Sequence, residues 1–238
     1  MYTSAFFLMT LVGCGTADTG GDSTDSANDD VLLPDVSKAT FVAGVDNAFM
    51  PMPVGATWTI EGQGTDEAIV IQIEVLSETR VVNGVTATVL RDTETIDGEL
   101  AEDTWDWYAQ DSDGNVWYLG EDTCEYEGDV CVDTHGAWEW GVDGALPGIV
   151  MWADPEAQNQ PYYEEYYAGE AEDVGEVVGT GESVSVPAGS YNDCVKLHET
   201  TPLDPAISEY KHFCRGVGLV RAEADGEVEA LTSTTLSP

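Results

Sequence analysis

TRVVNGVTATVLRDTE, residues 79–94, carries the pattern that decides the fold. Asn83-Gly84 stands between two runs rich in β-branched residues. Asn and Gly both tolerate positive φ, so the pair suits a type I′ turn, whose twist matches that of the strands it joins. The stretch therefore predicts a β-hairpin. Working outward, the same grammar repeats. ATWTIEGQ (56–63) alternates apolar and polar residues, and EAIVIQIEVLS (67–77) carries Ile and Val at period two. Asp97-Gly98 marks the next turn, and EDTWDWYAQ and NVWYLGE flank DSDG, another hairpin signal. Further strands are expected in YYEEYYA, GEVVG, ESVSVPAGSYNDCVKLHE, AISEYKHFC, GLVRAEA and EVEALTS. No long segment has helical periodicity, and no repeat of fixed period is visible.

Strands follow one another through short turns, so the expected fold class is all-β, an antiparallel meander. About ten strands exceed what a flat sheet carries, which predicts a strongly curved sheet, an open barrel or a sandwich. Residues 136–161 read as a long irregular loop covering the mouth of that sheet. One domain, residues 39–238, accounts for all of this.

The charge is extreme. Forty-six Asp and Glu stand against seven Lys and Arg, a formal net charge of −39, with 42% hydrophobic residues to build a core. Such a surface repels phosphate backbones and anionic headgroups, so nucleic acid is excluded as a partner. It suits solubility or cation binding.

The N-terminus differs from the body. Ser4–Gly13 is apolar but too short to span a bilayer, and it has the length of a secretory h-region. Residues 15–30, GTADTGGDSTDSANDD, hold no large apolar side chain and cannot offset ordering entropy, so they read as an acidic tether. Between them, Leu11-Val12-Gly13-Cys14 resembles the lipobox of bacterial lipoproteins. That resemblance implies a signal peptide over 1–13, lipidation of Cys14, a linker over 14–38 and attachment to a membrane through the lipid. No Lys or Arg precedes the apolar run, a departure from the lipoprotein pattern. Gly15 follows the cysteine where inner-membrane lipoproteins often carry Asp, so the resemblance favours the outer membrane or cell surface.

With Cys14 lipidated, four cysteines remain, an even number suited to an oxidising compartment. They allow three pairings, and local geometry favours one. A two-residue loop at Glu127-Gly128 would set Cys124 opposite Cys131. Strands DCVKLHE and SEYKHFC, meeting around TPLDPA, would set Cys194 opposite Cys214. On that register Lys196 faces His212 and His198 faces Tyr210.

From Asn47 to Glu223 the chain also resembles a widespread family of bacterial secreted proteins and lipoproteins. AFMPMPVGATWTIEG, DTWDWYAQDSDGNVWYLGEDT, GVDGALPGIVM, EEYYAGEAEDVGEV and VPAGSYNDCVKLHETTPLDP carry the likeness, with EYKHF and GVGLVRAE after them. It implies architecture and location, and no catalytic residue.

Candidate sites are few. Trp105, Trp107, Trp117, Trp138, Trp140 and Trp152 could stack on a sugar or a small apolar ligand, or anchor the core and its covering loop. Asp111, Asp113, Asn115 and Asp122 could offer oxygens to calcium. DSDGN lacks the EF-hand glycine at the sixth position, where Val116 stands, and reads first as a hairpin turn, with Gly114 supplying a positive φ. Two imidazoles, His198 and His212, could hold a metal, but Lys196 on their face opposes it. No nucleophile elbow, H-E-x-x-H or P-loop is present, so no catalytic residue is assigned. The expected function is an exported, lipid-anchored envelope protein acting as a binding or structural module. A calcium-binding adhesion protein and an extracellular hydrolase are the alternatives.

Overall fold

The computed structural model describes residues 30–64 and 67–238. Cys14 and the tether up to residue 29 lie outside the described residues.

Among the described residues there are sixteen strands. In chain order they are β1 (Phe41–Val42), β2 (Thr57–Gly62), β3 (Ile69–Val82), β4 (Val85–Ile96), β5 (Glu99–Asp111), β6 (Val116–Glu127), β7 (Val130–Asp133) and β8 (Trp138–Glu139). There follow β9 (Leu146–Met151), β10 (Tyr162–Tyr163), β11 (Glu165–Tyr166), β12 (Val174–Val186), β13 (Gly189–Thr200), β14 (Ser208–Cys214), β15 (Gly218–Ala224) and β16 (Glu227–Thr234). The main path runs β10-β12-β13-β14-β15-β16-β2-β3-β4-β5-β6-β9-β11, with every named pair antiparallel. The hairpin that opened the sequence reading joins β3 to β4. Asn83 (φ 45°) and Gly84 (φ 86°) form its turn, and Val82 pairs with Val85.

The two ends of the path are neighbours in sequence. Tyr162 and Tyr163 pair with Gly175 and Val174 of β12, while Glu165 and Tyr166 pair with Pro147 and Leu146 of β9. The short segment 162–166 therefore bridges both edges, and the all-β sheet is nearly closed into a barrel. This resolves the three shapes expected from the sequence in favour of the barrel. Closure satisfies the backbone groups that free edges would expose.

Strand alternation divides the apolar side chains between two faces. Inside, Trp58, Ile60, Ile71, Ile73, Val75, Val195, Leu197, Phe213, Leu219 and Leu231 form the main core. Outside, Val82, Val89, Trp107, Trp117, Leu119 and Ile149 form a second cluster, with Val36, Ala39, Phe41, Trp140 and Trp152 packed against it.

Three expectations need correction. Residues 136–161 are not merely a covering loop. They supply β8 and β9, and β9 is a full member of the sheet between β6 and β11. Pro147 and Gly148 hide this strand in the sequence. Gly148 is required because a Cβ there would meet the Tyr163 carbonyl oxygen and the Glu164 backbone. Part of the stretch expected as linker, residues 32–38, is ordered against the body. Leu32 accepts from Tyr163 N–H (2.9 Å), donates to Pro161 O (2.9 Å), and a 3₁₀ turn follows at Val36–Lys38. Finally, the cystine hairpin turns one residue later than expected. Glu127 pairs with Val130, so Gly128-Asp129 is the turn, and Cys131 stands opposite Tyr126 across a bulge.

Candidate functional site

The barrel lumen is apolar in one half and acidic in the other. Ile71 and Ile73 of β3 belong to the inner core, and they stand opposite Glu94 and Asp92 of β4. Period two thus places both acids on the lumen face. Glu94 stands opposite Glu102 of β5, and Glu102 opposite Glu125 of β6. Three glutamates form one cross-strand row, an arrangement that like charges disfavour. Burial, and next Glu94 among the charges that raise it, push the Glu102 carboxyl up to about 7, against a hydrogen bond donated by Thr104 Oγ1 (2.9 Å). Behind the row, Glu229 of β16 is 1% exposed, with no partner on either carboxyl oxygen. Burial first, then the charge of Glu94, raises it to about 9.

Deeper in the barrel the acids surround Lys211 of β14. Its Nζ lies 2.5 Å from Glu199 Oε2 and 3.2 Å from Glu209 Oε2. Burial works against the ammonium, and these two carboxylates outweigh it, so Lys211 is held well above the ordinary lysine value. Asp106, whose Oδ1 accepts from Tyr118 OH (2.7 Å), is raised by burial to about 7, and Glu209 by burial to about 8. Glu121, Glu164 and Glu165 are raised well above the carboxylate range, in each case chiefly by burial. Trp138 Nε1 donates to Glu165 Oε2 (2.5 Å). A cavity of about 70 Å³ lies among Tyr108, Tyr118, Glu164, Asp173, Lys211 and Phe213. It has room for a few waters and for nothing drug-sized.

The large concavity is elsewhere. A cleft of about 740 Å³ opens between the ends of β4, β5 and β6 and the β6–β7 hairpin. Glu94, Glu99, Glu102, Glu125 and Glu127 line it, together with Ile96, Leu100 and Tyr126, and among the described residues no Lys, Arg or His does. Strands supply its floor, so these carboxyls are fixed in place before any ligand arrives.

The residues singled out from the sequence are distributed differently. The six tryptophans do not line one pocket. Trp107 and Trp117 are buried in the outer cluster, with Arg80 stacked 3.7 Å over the Trp107 ring, and Trp105 packs at its edge with Arg91 5.1 Å away. Trp138 enters the lumen, edge-on to Tyr118 at 5.5 Å. Trp140 lies 6.2 Å from Phe41, and Trp152 lies edge-on to Tyr162 at 5.4 Å.

The proposed calcium oxygens do not converge. Asp111 accepts from Asp113 N, Asn115 N, Asn115 Nδ2 and Trp117 Nε1 at 2.8–3.0 Å, which makes it the organiser of the turn. Asn115 Oδ1 accepts from Ala153 N (3.0 Å), and Asp122 is exposed along β6. Among the described residues, no three His, Cys, Asp or Glu side chains are grouped to hold a metal ion.

Cys124 and Cys131 lie at disulfide distance with Cα atoms 5.8 Å apart, as do Cys194 and Cys214 at 4.0 Å. In the second hairpin Lys196 faces His212 and His198 faces Tyr210. His198 stacks on Tyr210 (4.5 Å) and reaches Ser208 Oγ (2.9 Å), while His212 turns to Glu182 (3.3 Å). The two imidazoles serve different partners.

The acidic lumen row was missed. Its signal was present as acids on one face of apolar strands, Asp92 and Glu94 in LRDTE and Glu102 and Asp106 in EDTWD, with Thr104 between the last two on that face. In a chain with forty-six acids, those positions read as solvent-facing.

No family model matches this chain, and no curated protein matches it. Among solved structures, a candidate lipoprotein from Parabacteroides distasonis is similar at 14% identity, with a TM-score of 0.43. The match covers 79% of this chain and 99% of that one.

Proposed function

We propose that the chain is an exported, lipid-anchored envelope protein, and that its barrel is a non-catalytic binding module with the acidic cleft as its site. The cleft carries the binding reading. Its volume of about 740 Å³ falls within the range of small-ligand sites, and its polar groups come from paired strands. The six tryptophans lie away from it, so a sugar or apolar ligand stacked on them is the weaker version of this reading. Export is supported by Leu11-Val12-Gly13-Cys14 and by four body cysteines paired two by two, an arrangement suited to an oxidising compartment. Gly15 favours the outer membrane or cell surface.

The test is expression in a lipoprotein-processing bacterium fed a clickable palmitate, followed by native mass spectrometry. The expected result is a label that Cys14→Ser abolishes, with no free thiol among the other four cysteines and a small molecule carried on the folded chain. An unlabelled chain with reduced cysteines overturns export. A chain that carries no added mass under any growth condition overturns binding.

One observation favours a second reading, the extracellular hydrolase. Glu102, held near 7 inside the cleft and facing two carboxyls, has the protonation of a general acid at neutral pH. Turnover of a glycoside that Glu102→Gln abolishes would replace the binding reading with this one.

A further inference from the structure

We propose that the segment 162–166 is a pH-sensitive gate in the barrel wall. When Glu164 loses its proton, its carboxylate leaves the space over Gly175, the β10–β12 ladder parts, and the acidic lumen opens to solvent. The gate stands apart from the cleft and from the binding reading.

The closure is held by little. β10 meets β12 through two residue pairs, Tyr162 with Gly175 and Tyr163 with Val174. One further bond extends the ladder, from Glu164 N–H to Asp173 O (2.8 Å). β3 and β4, by contrast, pair along most of their length. Tyr163 N–H turns the other way, to Leu32 O (2.9 Å), so β10 keeps a support on the N-terminal strap when it leaves β12.

Glu164 sits at the weak point. It is 7% exposed, and its Oε1 has no hydrogen-bond partner among the described residues. A Cβ on Gly175 would meet that Oε1 and the Glu164 Cδ, so the carboxyl fills the place where a side chain would stand. Gly175 is also the residue that pairs with Tyr162. A neutral acid can remain there at modest cost. A carboxylate without a donor cannot, and its way out passes through the ladder.

The surroundings push in the same direction. Facing Glu164 are Glu165 on its own segment, Tyr162, Asp173 before β12, Glu199 of β13 and Lys211 of β14. Asp106 of β5 and Glu121 of β6 face Glu165 in turn. β9, with the sequence LPGIVM, brings no titratable group. Lys211 is engaged by Glu199 and Glu209 at 2.5 and 3.2 Å. Burial first, and then the charge of Glu199, hold Glu164 well above the ordinary carboxylate value. The closed state therefore keeps a proton that the open state releases. Closure is strongest at low pH and weakens as the pH rises above the ordinary glutamate value, by about tenfold per pH unit for one proton. Behind the gate lies the cavity of about 70 Å³ lined by Glu164, Glu165, Asp173, Glu199 and Lys211, which opening exposes to water.

The experiment is amide hydrogen exchange of the full chain at pH 6, 7 and 8 in 0.5 M NaCl, corrected for the intrinsic pH dependence of exchange. It is followed at 162–166 and 173–176, with β3 and β4 as the reference. We expect the gate amides to exchange ahead of β3 and β4 at every pH, with protection falling about tenfold per pH unit. Glu164→Gln keeps the shape without the charge and should flatten that fall. Glu164→Met removes the same charge and is read in the same way if the buried amide disturbs folding, which slower or faster exchange in β3 and β4 at pH 6 would reveal. Gate protection that does not change from pH 6 to 8, gate amides that exchange only together with β3 and β4, or a charge-free variant with the parent's slope would each overturn the proposal.

Discussion

Acidification should stabilise this protein, and the buried carboxyls set how steeply. Asp106 is raised by burial from an ordinary value of 3.8 to about 7, and Glu209 from 4.5 to about 8. Both folded values lie above the unfolded ones, so the native state keeps protons that the unfolded chain releases. Stability from these groups is present in full below about pH 4, and it is lost as the pH rises from there through the folded values. Across that window each retained proton is worth about 1.4 kcal/mol per pH unit. Between pH 5 and 7, Asp106 alone gives about 2 kcal/mol, and Glu209 adds a contribution of similar size where the two titrate independently. Lys211, held above its ordinary value, stays charged throughout and does not reverse the sign.

For a chain of this length about 2 kcal/mol corresponds to roughly 4–8 °C in melting temperature. The assay is scanning calorimetry from pH 5 to 8 in 0.5 M NaCl, where the screening length is about 4 Å. Salt removes most of the self-repulsion of a surface with net charge −39, which would otherwise give a slope of the same sign. Asp106→Asn should melt higher than the parent at pH 7 and flatten the slope. A melting temperature that is flat or rises from pH 5 to 7 in high salt would refute the argument, because it would mean that the lumen acids are ionised in the native state.

Other outcomes follow from the same contacts. Lys211→Met leaves Glu199 and Glu209 buried without their cation and should cost about 3–5 kcal/mol at neutral pH, read by urea denaturation, and less at pH 5, where Glu209 holds its proton. Replacing Cys194 and Cys214 together by Ser should cost about 3 kcal/mol, more than the same change at Cys124 and Cys131, because it opens the longer loop, 20 residues of separation against 7, and both sulfurs are in the core. Gly148→Ala places a methyl against the Tyr163 carbonyl and should loosen the β9–β11 seam, seen as faster hydrogen exchange at residues 162–166. Gly84→Ala meets no neighbour and strains only a turn at φ 86°, so its exchange effect should stay local to 82–85.

The fold was legible where local chemistry leaves no choice. Asn83-Gly84 demands a turn that only a hairpin uses, and the pairing of Cys194 with Cys214 follows once DCVKLHE and SEYKHFC are set antiparallel. Legibility stopped where a strand breaks the local rules. β9 carries Pro147 and Gly148, the residues that normally announce a loop, because a crossing backbone fills the space where side chains would stand. Closure of the barrel was equally hidden. It depends on two ladders of two residues each around Glu164, too short for any periodicity to register.

The acidic cleft was hidden for a different reason. Alternation in LRDTE and EDTWD says that one set of side chains is buried, but it does not say which set. With Val89 and Trp107 on one face and Asp92, Glu94 and Asp106 on the other, the ordinary assignment puts the acids outside. The second, outer core reverses it. Val36, Ala39 and Phe41 fold back over Val89, Trp107 and Trp117, so the apolar side of these strands is buried on the outside of the barrel. The lumen side is then free to carry carboxyls. The N-terminal strap and the acidic lumen are thus one design: the strap contributes the apolar burial that β4 and β5 would otherwise have needed inside. A chain that keeps a row of opposed glutamates at the end of its barrel, and covers the other face to do so, bears a standing electrostatic cost there.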